Sequence, residues 1–187
     1  MSEDDDYGLS PEKVEKTIDP PPVDYLPEKP KSYNPKIGLI GAGGSSEFHL
    51  KNYKACGFEV AAIANRTQSK AEEKRDQFYP DALVFEDYRE LLEVEDIEVV
   101  DVTPHPADRL PILRESLDAG KHVLSQKPFV LDLDEGEKLV ALAEEKSLKI
   151  AVNQNGRWAP HFSYLRKAIA SDLIGRVTSV DFSLQWD

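Results

Sequence analysis

Cysteine is nearly absent: Cys56 is the one cysteine in 187 residues. It has no partner for an internal disulfide, so nothing points to an oxidising compartment. A lone cysteine is read as a buried apolar residue rather than a nucleophile. Basic residues are scarce as well, since 23 Lys and Arg face 35 Asp and Glu and leave a formal net charge of −12. That balance excludes non-specific nucleic-acid binding, which needs a basic face, while leaving room for a local basic pocket. Long apolar runs are also missing; none approaches the ~20 residues of a membrane span. The acidic start Met1-Ser2-Glu3-Asp4-Asp5-Asp6 lacks the positive charge and apolar stretch of a signal peptide. The expectation is a cytoplasmic protein with neither a membrane nor a nucleic acid as partner.

Apolar groups are thin over residues 1–35, which carry seven of the thirteen prolines, Pro20-Pro21-Pro22 among them. Proline fixes φ and removes a donor, so this stretch is expected to be an extended or disordered tail. It is either a free tail or an arm lying over a neighbouring subunit or a cofactor cleft. From Lys36 the texture changes. Short apolar runs at 37–40, 58–64, 83–85, 97–102, 122–124 and 149–152 read as strands. Between them, 45–56, 68–78, 87–92, 106–119 and 133–146 read as helices, the last with Leu139, Val140 and Leu142 toward the core. Strands alternating with helices at this spacing imply right-handed βαβ crossovers.

The expected fold class is therefore α/β, a Rossmann-type doubly wound parallel sheet over 36–152, with the start of a truncated second α+β domain over 153–187. In that last stretch, 153–160 reads as a linker and 161–170 as a helix. Residues 177–186 alternate apolar and polar side chains, like the first strand of an incomplete C-terminal domain.

The residues with chemistry gather at the ends of the predicted strands. Gly41-Ala42-Gly43-Gly44-Ser45-Ser46 follows the first strand and opens a helix, the setting in which a glycine-rich turn binds a pyrophosphate. Gly41 permits the tight turn and Gly43 a close backbone approach. Ser46 replaces the usual third small residue, and its hydroxyl is expected to be within reach of a phosphate. Asn65-Arg66-Thr67 ends the second strand, with Ser69 and Lys70 just beyond. An acid there would hold ribose hydroxyls and repel a 2′-phosphate. These residues would accept one, so NADP is preferred to NAD. Thr103-Pro104-His105 ends the fourth strand beside the expected nicotinamide ribose, with His105 either a ligand contact or an exposed loop residue. Ser125-Gln126-Lys127-Pro128 ends the fifth, where the Lys127 ammonium suits an oxyanion that develops as hydride moves. Asn153-Gln154-Asn155-Gly156-Arg157-Trp158 ends the sixth; its amides, Arg157 and Trp158 suit a polyhydroxylated substrate or a carboxamide, or form an interdomain hinge.

Taken together, Gly41-Ala42-Gly43-Gly44, Thr103-Pro104, Ala119-Gly120-Lys121-His122-Val123-Leu124-Ser125-Gln126-Lys127-Pro128 and Asn155-Gly156-Arg157-Trp158-Ala159-Pro160 resemble the Gfo/Idh/MocA oxidoreductases over about 36–187. The third segment carries most of the resemblance, being similar to the family's AGKHVLxEKP signature. The resemblance implies that Lys127 lies between nicotinamide and substrate, that the substrate is a sugar or polyol, and that the full-length protein is a homo-oligomer. Two departures stand out: Gln126 replaces the usual glutamate, and Asp108 or Arg109 falls near the family's loop histidine. The resemblance also implies a proton-transferring Asp and His in the second domain, beyond Asp187, so the chain is expected to be inactive alone. Two other readings stay open: a non-catalytic dinucleotide sensor or regulatory protein, and an NAD-dependent glycosidase-type relative.

Overall fold

The computed structural model describes residues 19, 21–27 and 30–183. Two compact units divide the chain. One spans Glu28–Arg157; the other comprises Met1–Pro27 and Trp158–Asp187.

The larger unit alternates strand and helix. In order it holds β1 (Lys36–Ile40), α1 (Gly44–Cys56), β2 (Val60–Ala64), α2 (Gln68–Phe78), β3 (Leu83–Phe85), α3 (Tyr88–Leu92), β4 (Ile97–Val102), α4 (Pro106–Asp118), β5 (His122–Ser125), α5 (Leu133–Glu145) and β6 (Ile150–Val152). The strands form one parallel sheet in the order β3-β2-β1-β4-β5-β6. Each crossover adds its strand outward from β1, first one way and then the other, so the order reverses between β1 and β4. In the pairs that frame the reversal, Leu39 lies opposite Ile63 on one side and Asp101 on the other. Each ladder is regular after one register shift near the start of β1, between Ile37 and Gly38 against β2 and between Lys36 and Ile37 against β4.

The strand pleat sends alternate side chains to two faces, and each face has its own core. Ile37, Leu39, Val60 and Ile63 pack with Leu50 of α1 and with Ala71 and Phe78 of α2. On the opposite face Ile40, Ala62, Val100 and Val102 meet Leu91, Leu113, Leu117 and Leu139 from α3, α4 and α5. The sheet is therefore covered on both sides, as its apolar strands require. Among the described residues no helix is long and apolar enough to cross a membrane.

Some expectations are corrected. Cys56 is exposed, not buried. Helix α1 turns Ser46 and Leu50 inward; Cys56 falls off that stripe, beside the left-handed Gly57 that ends the helix. Val140 points outward at 40% exposure, because Leu139 and Ala143 form the buried edge of α5. The strand expected over 177–186 is not formed over 177–183, which carry no ladder pairing, and 184–186 lie outside the described residues. A strand without a partner has no hydrogen bonds to hold it.

In the smaller unit, α6 (Pro160–Ala170) is the one helix among the described residues. The proline-rich segment runs beside it. Tyr164 Oη donates to Pro21 O (3.0 Å), Ser163 Oγ donates to Tyr25 O, and the Tyr25 and Tyr164 rings meet edge to face at 5.8 Å.

Candidate functional site

The glycine turn is built by the strands around it. Gly41 leaves β1 at a φ of 98°, and a Cβ there would lie 2.6 Å from Thr103 Oγ1 and against the Pro104 ring. Only glycine fits both conditions. The Thr103 hydroxyl is shared between Ile40 O (3.0 Å) and Gly41 O (2.9 Å), bracing the turn from below. From the end of β2, Asn65 Oδ1 accepts from Ala42 N (3.0 Å) while its Nδ2 donates to Thr67 O (2.9 Å). In front of Gly43 and Gly44 the space is open; a Cβ at either would meet nothing within 4 Å. Gly43 caps α1 without a side-chain hydrogen bond, and Ser46 N donates to Gly43 O (3.1 Å), so the N–H groups of Gly44 and Ser45 remain for an anion. An open cradle, free N–H groups and a positive dipole end fit a pyrophosphate.

Not every residue of the turn faces that cradle. Ser46 is fully buried and its Oγ donates to Gly43 O at 2.5 Å, so it locks the helix start rather than reaching toward a phosphate. Ala42 is 5% exposed, and its N–H belongs to Asn65. Gly41, Gly43, Gly44 and Ser45 do line a cavity of about 760 Å³ along the C-terminal edge of the sheet. That size lies within the roughly 300–1,000 Å³ usual for small-molecule sites.

One end of the cavity lies at β2 and β3, with Asn65, Arg66, Lys70, Glu86 and Tyr88 in its wall. The Arg66 side chain is 87% exposed and pairs with Asp108 across the opening at 3.3 Å. So exposed a pair is worth little and gives way readily to a better anion. Thr67 caps α2 and lies outside this wall. Ile40, Ala64, Pro104, Pro111 and Ile112 give the cavity an apolar slot, and His105, exposed at the start of α4, stands at its rim. Glu86 and Tyr88 carry no motif that marks them in sequence.

At the other end are Gln126 and exposed Lys127, whose peptide bond to Pro128 is cis. These two residues and Ser45 also border a second cavity of about 400 Å³, between α1 and the ends of β5 and β6, where Asn153 and Asn155 enter the wall. Arg157 ends the larger unit, whereas Trp158 belongs to the other.

Arg109 ties the fourth and fifth strand ends together. Its side chain is the largest of those fully buried. Nη2 and Nε donate to Pro104 O (2.7 and 3.1 Å), and Nη1 donates to Gln126 O and Pro128 O. Burial lowers the guanidinium pKa, yet an arginine stays charged at any physiological pH. The signature before Lys127 is largely structural. Gly120 takes a φ of 75°, Lys121 Nζ donates to Val94 O (2.9 Å), and His122 Nδ1 accepts from Lys149 N (3.1 Å). These contacts seat β5 so that its last residues emerge at the cavity.

A further cluster has no counterpart in the sequence motifs. Asp101 is fully buried in β4, beside α1. Its Oδ2 accepts from Tyr53 Oη (2.8 Å) and lies 2.6 Å from His49 Nδ1. Burial works against the charged imidazole, but the Asp101 hydrogen bond and charge outweigh it and raise the His49 pKa. Burial, followed by the Asp101 charge, drives the Tyr53 pKa far up, so Tyr53 remains a donor. A histidine and an aspartate 52 positions apart give no local pattern; only the register of β4 against β1, and α1 above them, brings the two together.

Strand order, turn and cavity define a dinucleotide-binding Rossmann domain. Residues 35–154 match the sequence profile of the Gfo/Idh/MocA family, described as "Oxidoreductase family, NAD-binding Rossmann fold", and the chain belongs to that family. It is 36% identical over 155 residues to an uncharacterized oxidoreductase of Schizosaccharomyces pombe, covering 81% of this chain and 42% of the relative. It is 31% identical to the scyllo-inositol 2-dehydrogenase (NADP(+)) IolW of Bacillus subtilis, covering 79% of this chain and 41% of that protein. Among solved structures it superposes on a point variant of KijD10, a 3-ketoreductase from Actinomadura kijaniata in complex with TDP-benzene and NADP. There the TM-score is 0.67 at 29% identity, over 78% of this chain and 45% of the other. The chain thus spans about two fifths of the length of the curated relatives it matches.

Proposed function

We propose that this chain holds NADP, in preference to NAD, for an oxidoreductase acting on a hydroxyl carbon of a sugar, polyol or related compound. The observation that carries the reading is a single cavity bordered by the open glycine turn, by Arg66 and Lys70 at the β2 end, and by Lys127 at the β5 end. The first turn of α1 receives the pyrophosphate. Arg66 leaves Asp108 for a 2′-phosphate, with Lys70 beside it, and the apolar slot lined by Pro104 and Ile112 takes the adenine. The bound dinucleotide supplies a hydride acceptor or donor. Lys127 holds its ammonium against the substrate oxygen and stabilises the negative charge that grows there. Asn155 offers a side-chain amide to substrate hydroxyls or to the carboxamide. The cofactor stated by the IolW relative and by the KijD10 structure is NADP, which supports the preference. The chain alone is expected to bind dinucleotide without turning substrate over.

Fluorescence titration of NADPH and NADH on the 187-residue chain tests the reading. NADPH binds the more tightly of the two. Arg66→Ala lowers the NADPH-to-NADH affinity ratio about tenfold, the equivalent of one charge-assisted hydrogen bond of roughly 1.5 kcal/mol. An unchanged ratio would sink the assignment of the β2 end, and absence of binding to either dinucleotide would sink the whole.

A further inference from the structure

The buried His49–Asp101 pair lies apart from the cofactor cradle, yet one side of it reaches the second cavity. His49 Nε2 is 3.4 Å from Gln126 Nε2 and 3.1 Å from Asn153 Nδ2. The other end of the Gln126 amide is engaged too, its Oε1 accepting from Lys127 N at 2.8 Å. A chain of polar contacts therefore runs Asp101–His49–Gln126–Lys127, from a buried carboxylate near the C-terminal end of β4 to the residue placed beside the reacting oxygen.

Each link fixes the next. A carboxylate only accepts, so Asp101 Oδ2 takes the protons of Tyr53 Oη and His49 Nδ1. With its proton on Nδ1, a neutral His49 presents a bare lone pair at Nε2. That lone pair selects the NH₂ ends of Gln126 and Asn153, which in turn leaves Gln126 Oε1 facing Lys127 N. The His49 side chain is only 8% exposed and Asp101 not at all, so water does not replace these partners cheaply. Asp101 Oδ1 has no hydrogen-bond partner, which leaves both donors concentrated on Oδ2.

We infer that His49 is a proton-responsive positioning residue: neutral, it orients the Gln126 and Asn153 amides and so holds the Lys127 main chain; protonated, it turns them and releases Lys127 N. Protonation puts a hydrogen on Nε2. Asn153 can meet it by presenting its carbonyl. Gln126, still offering NH₂, then faces a donor and has to turn or withdraw. Once turned, it no longer offers Oε1 to Lys127 N. The charged and titratable groups around the imidazole are Asp101 from β4, Tyr53 from α1 and Lys127 at the cavity wall; Gln126 and Asn153 are neutral. This inference deepens the proposed function, and it rests on that reading for the meaning of Lys127.

The test is an NMR titration of the ¹⁵N-labelled 187-residue chain without dinucleotide. At high pH the His49 ring is expected as the Nδ1–H tautomer, with Nε2 unprotonated. As pH falls, the Lys127 amide resonance is expected to shift with the same midpoint as the His49 ring. Gln126→Glu places an acceptor at both ends of residue 126 and favours the imidazolium, so the midpoint rises by at least one pH unit, a tenfold gain in proton affinity. An Nε2–H tautomer at high pH, or a Lys127 amide indifferent to the His49 titration, would overturn the inference. The wild-type titration stands even where the variant folds poorly. If the coupled titration is present but neither NADPH nor NADH binds, the positioning network stands and the functional reading fails.

Discussion

Arg109 shows how much one buried side chain contributes at the scale of a residue. A guanidinium without a carboxylate partner is tolerated because three backbone carbonyls, from Pro104, Gln126 and Pro128, share its donors. Those carbonyls belong to the segments that follow β4 and β5, both of which line the cavity. Arg109→Ala leaves them without a partner in a dry place and opens a void as large as the side chain. The expected cost is about 3 kcal/mol, read as a lower urea midpoint at unchanged slope. Arg109→Lys restores one donor but not the fork, and is expected to recover less than half of that loss. If Arg109→Ala unfolds at the wild-type midpoint, the arginine is not what holds the loops together.

Arg109 also marks where sequence reading stops. It stands one residue past Asp108 in the first turn of α4, and nothing in its neighbours in sequence tells a clamp from a surface charge. The reading of Ser46 fails for a related reason. Its spacing from Gly41 is right for the motif, but whether its hydroxyl faces ligand or helix depends on the pitch of α1. Asn65 stands out in the sequence as a ligand contact, though its side chain braces Ala42 N. Gly41 and Gly43 are legible because backbone conformation and lack of a Cβ are properties of the residue itself.

Elements are far more legible than contacts. The helix expected over 68–78 and the strands over 83–85 and 97–102 match α2, β3 and β4. Their apolar runs and turn residues are local signals, and the alternating pattern settles the parallel order. The His49–Asp101 pair is not local; it joins α1 to β4, two elements whose facing is fixed only by the assembled sheet. That pair makes stability depend on pH with a definite sign. The His49 pKa is raised in the folded chain, so the folded state binds the proton more tightly than the unfolded one. The contribution is fully present below the ordinary histidine value of about 6.5 and is lost as pH rises through the higher folded value. Urea unfolding between pH 6 and pH 9 is expected to show this decline, no steeper than about 1.4 kcal/mol per pH unit for one proton. His49→Gln should remove it. A slope that survives the substitution would assign it to another group. Stability and positioning thus favour opposite protonation states: the imidazolium holds α1 to β4 more strongly, while the neutral ring orients Gln126.

At the scale of the whole molecule, the hydrophobic core is unevenly distributed. Among the described residues every buried hydrophobic side chain except Ala168 belongs to the unit Glu28–Arg157. Both faces of the six-stranded sheet are covered by that unit's own helices, and so its core is complete without α6. The smaller unit presents instead a helix with Leu165 and Ile169 exposed at 48% and 42% and a proline-rich segment beside it. A chain trimmed to residues 28–157 is accordingly expected to fold, because both core clusters among the described residues are built from residues of that unit. It should unfold in one cooperative urea transition and bind NADPH within about threefold of the 187-residue chain, a difference of roughly 0.7 kcal/mol. The walls of both cavities lie inside 28–157, which makes retained binding the stricter half of the test. A trimmed chain that folds but binds NADPH more than tenfold weaker would mean that residues outside this unit contribute directly to holding the dinucleotide. One that fails to fold would mean that the sheet needs the smaller unit for its stability.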